Sequence, residues 1–201
     1  MVEVTPTRGT ALALAEEKSF LETGFGFLDE KRMMLAATLL RELRAWSDLR
    51  DEYSEQIART VSAMKAAITR HGLENLQRYP VLETLRELPG IRQSPILGVG
   101  LIFDMPELQW HAPRVENGPD LSEAAENLRK EAARLVPLAV RLAFRQSNVC
   151  RLLREYRDTD RRARALENVL IPETREKLAQ INEYLNEFDQ EEAIRIRNAV
   201  R

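Results

Sequence analysis

Leucines recur every seven residues in two separated parts of this chain: Leu14, Leu21, Leu28 and Leu35 in the first, and Leu121, Leu128, Leu135 and Leu142, followed by Val149, in the second. A seven-residue apolar repeat stays on one side of an α-helix only when that helix winds around a partner, so both segments predict coiled-coil helices. Phe25, Leu39, Trp46 and Tyr53 form a second seam beside the first, with Arg32 as its polar interruption. Beyond Leu39 the apolar positions move by one residue to Leu43, Ile57 and Met64, which predicts a local change in winding. In the second segment Leu152, Tyr156, Leu166, Leu178, Ile181, Leu185 and Phe188 carry the pattern onward. Pro137 and Pro172 interrupt it; each removes a backbone donor and crowds the preceding turn, so kinks or a short break are expected there.

The helix ends are readable too. Thr5 can cap the first helix with Pro6 at its first position, and Gly72 after His71 suits its end. Asp120 and Glu123 have capping-box spacing and predict the start of the second helix. Between the helices, residues 73–120 hold six of the nine prolines and four of the eight glycines, a density no long helix survives. Val81–Leu88 reads as a short helix and Ile96–Phe103 as a strand, with the stretch around Leu108, Gln109 and Trp110 as its nearest partner. The expected fold is mainly α. A long antiparallel two-helix coiled coil joins residues 1–72 to residues 120–201, and residues 73–119 form a small central insert with a short helix and a β-hairpin. Helices of roughly 65 to 75 residues would each be about 100 Å long. The expected coiled-coil core is Leu14, Leu21, Leu28, Leu35, Leu128, Leu135, Leu142, Val149, Leu166, Ile181 and Leu185. Gly24 and Gly26 cost helix propensity, about 1 kcal/mol each, and so predict a close helix approach.

Composition narrows the function. Thirty basic and 32 acidic residues leave a net charge of −2, which provides no general field for nucleic acid or an anionic membrane. Cys150 is the only cysteine, so no intrachain disulfide or thiolate metal cluster is expected, and a reducing compartment fits. No stretch approaches the roughly 20 apolar residues that cross a bilayer, and Met1-Val2-Glu3 does not begin a signal peptide. The two histidines, His71 and His111, fall in no metal-ligand motif, and there is neither a phosphate-cradling glycine loop nor a nucleophile elbow. The expectation is a soluble, intracellular, non-catalytic protein with no cofactor and no metal.

With these residues in place, the chain resembles the D subunits of the V-type and A-type rotary ATPases, the central rotor shaft family. That family shows Pro-Thr-Arg, a Gly eighteen residues after the proline, and then a Leu-Leu-Lys-x-Lys-Arg run. Pro6-Thr7-Arg8, Gly24, Phe27-Leu28 and Lys31-Arg32 stand at the matching distances. The family's Arg-Arg-Val-Asn-Ala-Leu-Glu and Ile-Pro resemble Arg161 to Glu167 and Ile171-Pro172, its acidic run Glu187, Asp189, Glu191 and Glu192, and its central Gly-Val Gly98-Val99. The chain departs from the pattern at Asp29, where the family usually has Lys, at Ala163-Arg164, and in the apolar Gly100 to Phe103 run.

The resemblance implies a cytoplasmic, membrane-peripheral rotor component that catalyses nothing itself. Its implied partners are the catalytic A and B subunits of the head, the F subunit and the membrane-rotor adaptor, with no nucleic acid and no membrane insertion. Arg8, Lys31, Arg32, Arg161, Arg162 and Arg164 become candidates for contact with the head, against the alternative of a solvated face with pairs inside the chain. Gly98, Val99, Leu101 and Phe103 become candidates for partner docking by the insert. The alternative function is a coiled-coil scaffold or tether with no rotary role.

Overall fold

The computed structural model describes residues 5–76, 92–96, 99–104 and 122–199. In chain order these form α1 (Arg8–His71), a single turn α2 (Leu73–Leu76), strands β1 (Arg92–Ile96) and β2 (Val99–Asp104), α3 (Glu123–Ala165), a π-helical stretch Leu166–Leu170, and α4 (Ile171–Ala199). Met1–Ala36 with Glu155–Arg201 make one compact unit and Ala37–Arg154 the other.

The helices start where a side chain can satisfy an orphan N–H, and at both starts this differs from the expectation. Thr7, not Thr5, caps α1: its Oγ1 accepts from the Thr10 N–H at 3.1 Å, while Thr10 Oγ1 accepts from the Thr7 N–H at 2.9 Å. A reciprocal box needs an acceptor three residues after the cap; Thr10 supplies one for Thr7, whereas Arg8 could supply none for Thr5. Pro6 therefore precedes the helix. Ser122 caps α3 by accepting from the Ala125 N–H at 3.2 Å, and its hydroxyl also pairs with the His71 ring Nε2. Asp120, the expected cap, lies outside the described residues. As expected, α1 ends at His71 and Gly72: Gly72 takes a positive φ of 73° and donates its N–H to the Ile68 carbonyl at 2.8 Å.

On α1 the buried positions include Leu35, Glu42, Leu49, Gln56 and Ala63, one heptad apart throughout. The expected shift to Leu43, Ile57 and Met64 does not occur; all three are exposed. The seam instead keeps its phase by burying polar side chains. Within residues 37–154, Glu42 accepts from Arg145 Nη1 at 2.8 and 3.0 Å, and Gln56 donates its Nε2 to Glu131 Oε2 at 2.6 Å. A buried polar group is tolerated when its partner is also in place, so hydrophobicity alone loses the register that pairing preserves. Partner numbers fall on α3 as they rise on α1, from Glu42 with Arg145 to His71 with Ser122, so the two helices run antiparallel in this unit. Asn148, fully buried, and Leu138 and Leu152 belong to the same core.

In the unit made by the two ends of the chain, Arg8 pairs with Asp189, Glu22 with Arg175 and Lys31 with Glu155, again antiparallel. Its fully or nearly buried residues include Leu35, Thr159, Ala163, Thr174 and Ile181. Thr174 and Ile181 are one heptad apart, but Thr159 and Thr174 are separated by two heptads and one residue. The π-helical stretch lies between them, and the Ile171 N–H bonds to the Leu166 carbonyl. Such an i→i+5 closure takes up one extra residue per turn, which returns α4 to the seam in phase. It also opens the backbone just ahead of Pro172, whose ring would crowd the Asn168 carbonyl in a plain α-helix. Pro137 sits inside α3, so neither proline ends the helical run.

The strand pair differs from the expected one. β1 and β2 are antiparallel, with Ile96 opposite Val99, Ser94 opposite Leu101 and Gln93 opposite Ile102, and a bulge between Arg92 and Gln93. The apolar run Ile96–Phe103 was expected as one strand; it is divided, with Ile96 ending β1 and Val99 beginning β2. The expected partner Leu108–Trp110 and the expected helix Val81–Leu88 lie outside the described residues.

Two expected outcomes test the seam. Glu42 is 4% exposed and Arg145 38%, so Arg145→Ala strands a buried carboxylate and should cost about 3–5 kcal/mol, whereas Glu42→Leu with Arg145→Leu should recover most of it, read from denaturant midpoints. Deleting Val169 together with Pro172→Ala removes the extra residue and its proline, and should preserve helicity and thermal midpoint; deleting Arg154 alone puts the flanking seams out of phase and should lower the midpoint by several degrees.

Candidate functional site

Three of the cations in the motifs behind the family resemblance, Lys31, Arg32 and Arg164, come together across the helical pair formed by the chain ends. Lys31 Nζ donates to Glu155 at 2.6 Å. The next residue, Arg32, donates its Nη1 to Asp160 at 3.1 Å and its Nη2 to Asp29 at 2.5 Å. Arg164 approaches the second oxygen of Asp160 at 3.1 Å. Asp160 thus holds one cation from each helix, and its side chain is only 19% exposed. The hydrogen bond to Asp160, then the nearby charges of Asp29 and Asp160, raise the Arg32 pKa above its ordinary value against the lowering effect of burial. Lys31, Arg32 and Arg164 with Glu155 and Asp160 thus form a charged clasp between the two helices.

The expected contact residues divide accordingly. Lys31 and Arg32 are half-buried and turned to the opposite helix, and Arg164 joins them through Asp160. Arg8 is exposed but reaches Asp189 at 3.0 Å. Arg161 and Arg162 are exposed and have no ion pair among the described residues. Of the expected core, Leu35 and Ile181 are buried, while Leu14, Leu21, Leu28, Leu128, Leu135, Leu142, Val149, Leu166 and Leu185 are half-buried, the condition of a seam that two helices cover from one side. Phe188, read as continuing that seam, is exposed. In the insert, Val99 is buried. Leu101 and Phe103 lie in β2, and Gly98 is outside the described residues. The close helix approach expected at Gly24 and Gly26 is not found: a Cβ at either would meet nothing within 4 Å.

Sequence reading missed the acidic half of the clasp. Glu155, Asp160 and the buried Glu42 and Gln56 carry no motif of their own, but Asp160 directly precedes Arg161-Arg162, and Glu42 and Gln56 stand at heptad distances from Leu35. Among the described residues no cluster of His, Cys, Asp or Glu is arranged to hold a metal ion, and no helix is long and apolar enough to cross a membrane.

The family of ATP synthase D subunits matches residues 10–200. The chain belongs to that family. Among its relatives, the V-type ATP synthase D subunit of Thermotoga neapolitana is 26% identical over 98% of this chain and 96% of its own length. The A-type ATP synthase D subunit of Pyrococcus furiosus is 25% identical over 98% and 93%, and the V-type ATP synthase D subunit of Anaeromyxobacter dehalogenans is 25% identical over 98% and 95%. Membership of the family thus extends over both helical segments and the insert, well beyond the short motifs around Lys31 and Arg161.

The clasp makes a prediction that separates its members from the outward cations. Asp160→Ala releases Arg32 and Arg164 together and should cost about 1–2 kcal/mol after allowance for their partial exposure. Arg161→Ala or Arg162→Ala in the isolated chain should change stability by less than about 0.5 kcal/mol, with all three variants read from urea titrations.

Proposed function

We propose that this chain is the central-stalk rotor component of a V-type or A-type rotary ATPase, carrying torque between the catalytic head and the membrane ion-translocating rotor. The family match over residues 10–200 carries the reading, and the charged clasps between antiparallel helices support it. A shaft under torque must resist sliding of one helix along the other. Charged and hydrogen-bonded seam pairs oppose such slip because each displaced register strands a polar group away from its partner.

On this reading the paired terminal segments enter the head formed by the catalytic A and B subunits. The insert faces the membrane-rotor adaptor, with the F subunit alongside, and Arg161 and Arg162 are the cations most available to the head. The chain catalyses nothing, binds no cofactor and works in the cytoplasm at the membrane periphery. Coupling follows from differential contact: a rotor that touched every head conformation equally would bias none of them. A scaffold without a rotary role is the second reading, favoured by nothing specific beyond the heptads themselves.

Reconstitution decides between them. The chain mixed with purified A and B subunits should assemble as one copy per three catalytic subunits and alter ATPase turnover at least severalfold. A chain that leaves the head unbound and its turnover unchanged belongs to the scaffold reading.

A further inference from the structure

Two ion pairs fix which parts of the terminal segments stand level with one another. Glu22 meets Arg175 toward the chain ends, and Arg32 meets Asp160 in the clasp. Between these ties the packing thins. From Ala165 to Glu173 no residue is buried; Leu166 and Ile171 are half-buried and the rest are exposed, Val169 at 47% and Leu170 at 43%. Ala163 and Thr174, on either side of that stretch, are both buried. The π-helical turn Leu166–Leu170 and Pro172 fall inside it.

The opposite helix is weakened between the same two ties. Gly24 and Gly26 lie in the interior of α1, between Glu22 and Arg32. Neither takes a positive φ, and a Cβ on either would meet nothing within 4 Å, so neither backbone conformation nor close packing calls for glycine there. Two glycines in three residues do make a helix easier to open, since glycine loses more backbone freedom on becoming helical than any other residue. A π turn followed by a proline does the same for the partner helix, because both interrupt the regular i→i−4 ladder. Kinks in long helices gather at such features. Here each helix carries one between the same ties, and neither residues 23–28 nor residues 165–173 include a buried side chain.

We propose that this level is a joint in the helical pair: the backbone hydrogen bonds of residues 23–28 and 165–173 open together, and the tip beyond them tilts as a unit against the clasp. The tip keeps its own ties, Glu22 with Arg175 and Arg8 with Asp189, and its own buried residues, Thr174 and Ile181. The clasp keeps Lys31 with Glu155 and Arg32 with Asp160. Bending is confined to a stretch whose opening uncovers no buried side chain and breaks no ion pair among the described residues, the character of a segment that opens locally. In a rotating shaft such a joint lets the tip follow an off-axis displacement while the clasp holds register. The joint itself is a property of the free chain and does not depend on the rotor reading.

Amide hydrogen exchange on the full-length free chain tests it. A helical pair that only frays loses protection steadily from clasp to tip. The joint gives a minimum instead: after correction for intrinsic rates, amides of residues 24–28 and 166–171 should exchange at least about tenfold faster than those of residues 14–21 and 175–184. Deleting Val169 together with Pro172→Ala, Gly24→Ala and Gly26→Ala should erase that minimum, since the added Cβ atoms meet open space. Spin labels on Arg157→Cys and Glu187→Cys, both exposed, in a Cys150→Ser chain report the tilt. Their distance distribution should be at least about twice as wide in the parent as in the chain carrying those four changes. Protection that declines steadily in the parent, or a minimum on one helix alone, overturns the joint. A distribution whose width the four changes leave as it was overturns it as well.

Discussion

Everything in this fold depends on keeping a narrow seam in phase along helices that, among the described residues, pack as an antiparallel pair. A globular core can absorb a misplaced side chain by repacking in three dimensions. A two-helix seam cannot, because one residue of slip turns the apolar stripe away from its partner by more than a quarter turn. The structure answers with polar pairs at heptad positions in the middle of the chain, Glu42 with Arg145 and Gln56 with Glu131, and with the Lys31, Arg32, Glu155 and Asp160 clasp between its ends. These pairs add little net stability compared with apolar side chains of the same size. Their effect is on register, since any alternative alignment leaves Glu42 or Arg32 without its partner.

The same constraint explains the π-helical stretch. The seam residues Thr159 and Thr174 are out of heptad spacing by one residue, and an α-helix of fixed winding would carry that error to its end. Taking up the extra residue in one widened turn at Leu166–Leu170 confines the error to five residues. Pro172 falls where the widened backbone has already given up the α-helical bond that a proline would break. Proline and phase error are thus accommodated by one local feature instead of two.

Long helices, the end of α1 at Gly72 and the antiparallel sense were legible because they depend on periodicity and on one residue with a special backbone requirement. The drift toward Leu43, Ile57 and Met64 was a misreading with a physical cause: a scan for apolar residues passes over Glu42 and Gln56, whose burial is compensated by partners 103 and 75 residues away in the sequence. The helix starts were misplaced for the opposite reason. Thr5 and Asp120 have suitable side chains, but capping is settled by whether an acceptor or a second tether lies at the right distance, as Thr10 does for Thr7 and His71 for Ser122. Apolar content marks Ile96–Phe103 as one extended run without showing that Ile96 belongs to β1 and Val99 to β2. At the clasp, Lys31, Arg32 and Arg164 were readable as a set; that their charge is spent on Glu155 and Asp160 depends on which faces meet, which only the paired helices define.

Charges and apolar groups have therefore exchanged their customary places in the first part of α1. Cations that a surface helix would show to water are drawn inward to carboxylates, and phenylalanines that a core would claim are left outside. Neither choice helps an isolated helical pair. Inward charge costs desolvation, and outward Phe20 and Phe27 cost solubility. The two become compatible when a second protein covers the outer face, for then the apolar side chains are buried by the partner while the seam, held by directional ion pairs, has no need to compete for them. Exposed apolar side chains next to a leucine seam would let the helix roll between the two; Lys31 and Arg32 beside that seam oppose it, because they cannot roll outward without leaving Glu155 and Asp160 unpaired.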